Sequence, residues 1–524
     1  MDIRGVKKKL PRAFSLFFGT IGTVNSMQLE VMPKIIDGMN IVLMSPTASG
    51  KTEAILAPLV EKILDIQKKG IKLLYITPTR ALVNDMYDRT HGLIRKAHLS
   101  IARKTGDHPT LNSKDVEDII ITTPESLDSM ITRYGHIFHT LRGVVLDELH
   151  LIDNTTRGDQ LRILLRRLEK DYLNGQAQYA ILSATIADPL ALGKRYFDNP
   201  VVVKAGKPRP IELTLHENLK NAITECKIKK LLKILIFCNT RKTVEELMQE
   251  LSSLWPKDKL FAHHGSLSKK EREETEKALK LNSWGICVST MTLEIGVDIG
   301  DIDIVILYRP PHDFSSFLQR VGRACRRKDI IKTIGIYEND EDKDLFLIFE
   351  KLAREGKILA SEYEADISVC VQQIFSLLYG KRQGIESNEL VKIFENIFLR
   401  ETVLLIIGHL QKLGFLTTRR DRILAETKLI NLGNSGLIHS NISCAKEYTI
   451  INQATNAPIG KLDFSPEFGK LILLKGAAWE VMQITSTSVY CKKSATHIDA
   501  KTYFAKKQTH GAFAQYLPKE LQKE

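Results

Sequence analysis

Gly50-Lys51-Thr52 follows a small-residue turn, Ser45 to Ser49, which itself follows the apolar run Ile41 to Met44. A buried strand, a tight turn and a helix start leave backbone N–H groups and the positive end of a helix dipole facing an anion. In such a cradle Lys51 reaches the β- and γ-phosphates of a nucleotide, the Thr52 hydroxyl binds Mg²⁺, and Thr47, Ser49 and Gly50 line the loop. Ser45 stands where this pattern usually begins with Gly. A second group with chemistry is Asp147-Glu148-Leu149-His150, directly after the apolar Val144-Val145-Leu146. Two adjacent carboxylates at the C-terminal end of a parallel strand lie where such sheets bind ligands. Asp147 suits Mg²⁺, and Glu148 suits the orientation and deprotonation of an attacking water.

The third group is Leu318 to Arg327, LQRVGRACRR. Arg323 and Arg326 are expected i, i+3 on one helix face. Planar guanidiniums there can act on a γ-phosphate as arginine fingers, or contact nucleic-acid phosphates directly. Gln319 suits the γ-phosphate or the attacking water, and Asp298 suits support of Arg320 or a ribose. Gln28, on a helix expected to start with Ser26 as its cap, can bond an adenine edge. Pro78-Thr79-Arg80, Gly106 after Thr105, Thr123, Asn239 with Arg241, and Thr290 all follow expected strands or loops. Their hydroxyls, guanidiniums and free N–H groups suit a sugar-phosphate backbone rather than base edges. Ser183-Ala184-Thr185, two hydroxyls at a strand end, suits a link from the carboxylates to the second domain.

These groups need a scaffold that puts them at strand ends. Apolar runs at Leu73–Thr77, Ile119–Thr123, Val144–Leu146 and Tyr179–Leu182 alternate with helical patterns such as Ser126–Tyr134 and Leu161–Tyr172. A second series runs through Ile234–Cys238, Leu260–His263, Ile286–Ser289, Ile304–Tyr308 and Thr333–Tyr337. Alternating β and α units imply parallel sheets covered on both faces. Only the first series has a GKT loop, so a nucleotide is expected in the cleft between two α/β domains, residues 1–207 and 208–340. Helical patterns at Asp366–Tyr379, Ser387–Glu395 and Arg400–Leu413 precede the charged, strand-like RRDRILAET, a winged-helix pattern assigned to residues 341–428. Residues 429–524 become β-like and are expected to form a small barrel or curled sheet.

Composition excludes several classes. The 26% charged and 43% hydrophobic fractions are those of a globular protein, and no apolar run approaches the ~20 residues of a membrane helix. The basic first residues lead into no apolar segment, so no secretion signal is expected. Seven cysteines without a CxxC pair argue against zinc and a disulfide framework and fit a reducing cytoplasm. A net charge of +13 agrees with a polyanionic partner.

Taken in order, SPTASGKT, PTRAL, TG, TPESL, DELH, SAT, IFCNTR, STMTLEIGVDIG and QRVGRACRR resemble a superfamily-2 helicase core. TLEIGVDIGDIDIVI followed by RPP and FLQRVGRACRR is most similar to the Lhr (large helicase-related) family, and the segments GLIHSN, EYTIIN, IGKLDF and LLKGAAWEV resemble that family's β domain beyond the core. Cys325 and Ala48 occupy positions where relatives usually or often carry Gly. The resemblance implies two tandem RecA-like domains, a winged helix and a β-rich domain. It further implies an ATP- and Mg²⁺-dependent motor moving 3′→5′ on single-stranded nucleic acid, DNA favoured over RNA. Such a motor unwinds DNA or RNA:DNA duplexes in repair or genome defence, as a monomer or a subunit of a larger assembly. The alternative is a translocase that does not unwind, within a DNA-modification or phage-defence complex.

Overall fold

The structure, a computed structural model, describes residues 2–19, 23–45, 49–112, 114–183, 186–205, 209–294, 299–325, 330–355, 363–442, 448–462, 468, 471–474, 477–485, 488–494 and 511–522. Seven strands open the chain: β1 (Ile41–Met44), β2 (Leu73–Ile76), β3 (Ile101–Lys104), β4 (Ile119–Thr122), β5 (Gly143–Asp147), β6 (Gln178–Ser183) and β7 (Val201–Lys204). They form one parallel sheet in the order β3-β4-β2-β5-β6-β1-β7. The central strands are apolar throughout because both faces are covered. On β2, Leu73 and Tyr75 enter one core and Leu74 and Ile76 the other. Six more strands follow: β8 (Ile211–His216), β9 (Lys233–Cys238), β10 (Leu260–His263), β11 (Gly285–Ser289), β12 (Ile304–Tyr308) and β13 (Ile331–Ile336). They form a second parallel sheet, β10-β11-β9-β12-β13-β8. The Asp340–Glu355 helix buries Phe346 and Phe349 in the core of this second sheet.

Beyond it, the Ser368–Gly380 helix is buried on every side from Ser368 to Leu378. It leads to β14 (Ile385–Glu386), the helices Ser387–Phe394 and Arg400–Lys412, and the hairpin β15 (Leu416–Arg419) and β16 (Arg422–Ala425). The three strands pair antiparallel as β14-β16-β15, and the hairpin turns on Arg420 and Asp421, both left-handed at φ 49° and 62°. The last strands are β17 (Tyr448–Asn452), β18 (Pro458–Leu462), β19 (Leu471–Leu474), β20 (Ala477–Ile484) and β21 (Ser488–Ser494), in one sheet ordered β18-β17-β21-β20-β19.

The chain divides into two compact units. One contains Met1–Gly206, Ala360–Ser443 and Gln508–Glu524; the other contains Lys207–Leu359 and Cys444–Lys507. Inside the first, a polar hub joins the first sheet's helices to the later helical module. Asp128, fully buried on the Pro124–Tyr134 helix, accepts from Gln160 Nε2 at 3.1 Å, Gln372 Nε2 at 3.0 Å and the nearby Gln373 amide and Ser376 hydroxyl. His439 Nδ1 lies 3.3 Å away and the Arg167 guanidinium 3.7 Å away. Among the described residues no helix is long and apolar enough to cross a membrane.

Candidate nucleotide site and nucleic-acid edge

Parallel pairing brings the C-terminal ends of the strands to one edge. Met44 lies opposite Ser183, Leu182 opposite Asp147, Leu146 opposite Ile76, and Thr122 opposite both Ile76 and Lys104. The strand order sorts the candidate residues. β1, β5 and β6 carry the phosphate loop, Asp147-Glu148 and Ser183, while the adjacent β2, β4 and β3 lead into Pro78–Arg80, Thr123 and Gly106.

At the first set, Gly50 caps the Lys51–Ile63 helix in the left-handed region, φ 81°. That backbone strains any other residue at position 50, and a Cβ there would lie 2.4 Å from Gln28 Nε2 and displace that amide. Ser45 Oγ donates to Ser49 Oγ at 2.6 Å, which closes the loop with a hydroxyl in place of the usual first glycine. Thr52 is buried on the first helical turn. Lys51 Nζ donates to Glu148 Oε1 at 2.8 Å, with both side chains nearly buried. Glu148 sits at φ 46°, its N–H donates to Asp147 Oδ1 at 2.9 Å, and Tyr75 Oη donates to Asp147 Oδ2 at 2.8 Å. Burial, then the charge of Glu148, pushes the Asp147 carboxyl up to about 6, against the pull of Lys51. His150 Nδ1 lies 2.8 Å from Ser183 Oγ and 3.5 Å from Glu148 Oε2, and burial lowers its basicity. Thr47 and the Ala184-Thr185 pair lie outside the described residues.

Gln28, expected at an adenine edge, lies beside the phosphate loop. Its Nε2 donates to Gly50 O at 3.1 Å, which braces the phosphate loop, and its Oε1 accepts from Asn25 N at 3.1 Å within the cap of its own helix. The cap of this helix is Asn25, not Ser26. Asn25 accepts from Gln28 N, completes a capping box, and donates Nδ2 to Ser49 O at 2.9 Å. The Asn-x-x-Gln spacing was the available signal for it.

At the second set, Thr79 caps the Arg80–Lys96 helix by accepting from Leu82 N at 3.3 Å, and Pro78 is buried beneath it. Arg80 is exposed and paired with Asp107 at 2.9 Å, and a Cβ on Gly106 would lie 2.7 Å from Arg80 Nη2. Arg80 and Gly106 are thus one patch. Thr123 is buried at the start of the Pro124–Tyr134 helix.

In the second unit, Asn239, Arg241 and Thr290 follow β9 and its neighbour β11. Asn239 Nδ2 donates to Pro310 O at 2.8 Å, its Oδ1 accepts from Arg320 Nη1 at 2.9 Å, and Arg241 Nη1 donates to Ser266 Oγ at 2.9 Å. Thr290 is buried and its N–H donates to His263 O at 3.2 Å. Gln319 Nε2 donates to Ser315 Oγ at 3.2 Å on the Phe314–Val321 helix. That helix ends at Val321, with Gly322 after it, so Arg323 does not share a helix face as expected. Arg323 lies in the following turn, 4% exposed, and donates Nε to Glu294 O at 3.2 Å; Arg320 pairs with the Glu294 carboxylate. Arg326 and Asp298 lie outside the described residues.

Two parallel sheets, one with a GKT cradle facing an Asp-Glu pair, are the architecture of a superfamily-2 helicase core. Family comparison agrees: the DEAD/DEAH box helicase model matches residues 25–192 and the helicase conserved C-terminal domain model matches residues 216–328. The chain is 31% identical over 359 residues to ATP-dependent helicase Lhr-Core protein 2 of Thermococcus barophilus, covering 59% of this chain and 41% of that one. It is 28% identical over 418 residues to ATP-dependent helicase Lhr-Core of Sulfolobus acidocaldarius, covering 71% and 47%. The chain therefore spans less than half the length of these curated relatives. In fold it is similar to Mycobacterium smegmatis helicase Lhr bound to ssDNA and AMP-PNP, with TM-score 0.69, 23% identity and coverage of 81% and 62%. It is likewise similar to the DUF1998 helicase MrfA bound to DNA and AMPPNP, with TM-score 0.75, 21% identity and coverage of 93% and 72%. The chain belongs to the superfamily-2 helicases, and its curated relatives include Lhr-Core helicases.

Proposed function

We propose that the chain is an ATP-dependent motor that moves 3′→5′ along single-stranded DNA in preference to RNA and unwinds DNA or RNA:DNA duplexes, in repair or genome defence. The observation that carries the chemistry is the Lys51–Glu148 contact beside Asp147, a phosphate-binding cation and two carboxylates on one sheet edge. Lys51 holds the phosphates, Glu148 takes the proton of the attacking water, and His150 with Ser183 fixes the Glu148 side of the site. Two buried carboxylates beside one ammonium suit a further cation. Asp147, Thr52 and the phosphates would share Mg²⁺. When bound, that ion neutralises charge on the phosphates. Gln319, Arg323 and Arg326 take the transition-state role that the resemblance implies, and Asp298 supports Arg320 or a ribose.

Arg80, Gly106, Thr123, Asn239, Arg241 and Thr290 contact the sugar-phosphate backbone, which gives little sequence preference and a strong salt dependence. The ssDNA and DNA bound in the M. smegmatis Lhr and MrfA structures support the choice of DNA. The three strands and helices of residues 385–425 support a winged-helix reading, and that module would help part the duplex.

The experiment is phosphate release with and without single-stranded DNA and RNA, on wild type and Glu148→Gln, together with displacement of 3′- and 5′-tailed duplexes. Strand-stimulated turnover is expected to fall about 10²–10⁴-fold in the variant. Equal, slow turnover of both proteins overturns the motor. Stimulated turnover without displacement moves the reading to a translocase that does not unwind.

A further inference from the structure

The Asp147 carboxylate is held by a donor on each oxygen, and one of those donors comes from the strand that leads to the nucleic-acid loop. Tyr75, on β2 and 1% exposed, donates its hydroxyl to Asp147 Oδ2 at 2.8 Å across 72 residues. The Glu148 N–H holds Oδ1 at 2.9 Å. The ring packs in the same core as Leu73, Ile55 and Val83, a place an aliphatic side chain would fill equally well. A buried hydroxyl is costly unless it is bonded, so the phenol at this position is explained by its partner.

β2 ends at Ile76, and the chain runs at once into Thr77, whose Oγ1 donates to Thr79 O at 3.1 Å. Thr79 caps the helix that begins with Arg80. Tyr75 is therefore a few backbone bonds from Pro78, Thr79 and Arg80 and one hydrogen bond from Asp147. A second connection, Arg89 to Glu53 at 3.7 Å, is half exposed and holds little.

We propose that Tyr75 is a positioning residue that orients Asp147 for Mg²⁺ and makes that orientation follow the position of β2, hence the state of the 77–80 loop. Occupation of the loop by a strand seats β2, Tyr75 and Asp147 together, and nucleotide turnover rises. The inference rests on the motor reading above. Partners of metal ligands typically change metal affinity about 10–100-fold when lost.

The test uses the full chain with Tyr75→Phe, which keeps the ring, and Thr77→Val, which breaks the loop's own bond without touching Asp147. Phosphate release is measured against Mg²⁺ with and without single-stranded DNA, and binding of a fluorescent ATP analogue is measured with and without Mg²⁺. For Tyr75→Phe, half-saturating Mg²⁺ is expected to rise about tenfold in both assays, with metal-free nucleotide affinity and strand affinity unchanged. For Thr77→Val, stimulation at saturating strand is expected to fall. A stimulated wild type that both variants match in Mg²⁺ requirement and stimulation overturns the coupling alone. A wild type that strand does not stimulate overturns the motor reading and the coupling with it.

Discussion

Lys51 and Glu148, 97 residues apart, form a nearly buried ion pair at 2.8 Å, with side-chain exposures of 8% and 13%. The lysine expected on phosphates is thus bonded to the carboxylate expected to activate water. Nucleotide must draw Lys51 off Glu148 before Glu148 can serve as a base. Glu148→Gln is therefore expected to bind a non-hydrolysable ATP analogue several-fold more tightly than wild type while its turnover collapses. Lys51→Ala leaves a charge in a nearly buried site and is expected to lower stability by about 3 kcal/mol. Adding Glu148→Gln to Lys51→Ala should recover much of that loss. Denaturant unfolding of the three proteins and fluorescence titration of the analogue decide it; strict additivity of the two changes would show that the pair is not coupled.

Asp128 predicts an acid limit for the first unit. Its hydrogen bonds with His439 and Ser376 and the charge of Arg167, opposing burial, hold it down to about 2. An unfolded aspartate titrates near 3.9, roughly two units higher, so the hub contributes about 2 kcal/mol above about pH 4 and loses it as pH falls through about 2. Asp128→Asn should cost about 3–5 kcal/mol at pH 7, because buried Arg167 then lacks its counter-charge. The difference between wild type and variant should shrink between pH 4 and pH 2, read as thermal midpoint against pH. A constant difference over that window would remove the carboxylate charge as the cause.

The candidate nucleotide edge was legible because its residues announce themselves locally. A GKT after an apolar run and two carboxylates after another need no knowledge of distant partners. The central strands were legible for the same reason, since burial on both faces leaves continuous apolar runs. The outer strands β3, β7 and β8 were not, although the outer strand β10 was. β3 is Ile-Ala-Arg-Lys and β8 is Ile-Glu-Leu-Thr-Leu-His, half polar because edge strands meet solvent. Tyr75 and Asp128 escaped notice because their meaning lies in partners that only the folded chain brings near. The helix before Arg323 ends at Val321, and Gly322 was the local signal for that end.

Cys325 shows why a glycine would be usual there. Its φ is 52°, in the left-handed region, its N–H donates to Ile302 O at 2.9 Å, and its buried thiol lies 3.0 Å from Asp303 O. The turn that follows Arg323 is thereby tied to the loop before β12. A side chain in this region costs roughly 1–2 kcal/mol. Cys325→Gly relieves that strain but gives up thiol burial and frees the unfolded chain by about 0.4–1 kcal/mol, so stability should change by less than about 1 kcal/mol. Cys325→Val, with a branched Cβ in the same backbone, should cost about 2 kcal/mol or more and lower turnover through the displaced Arg323. Urea unfolding of both variants with strand-stimulated phosphate release is the measurement. Equal stability of the Val and Gly proteins would mean that the left-handed backbone at residue 325 does not constrain this turn.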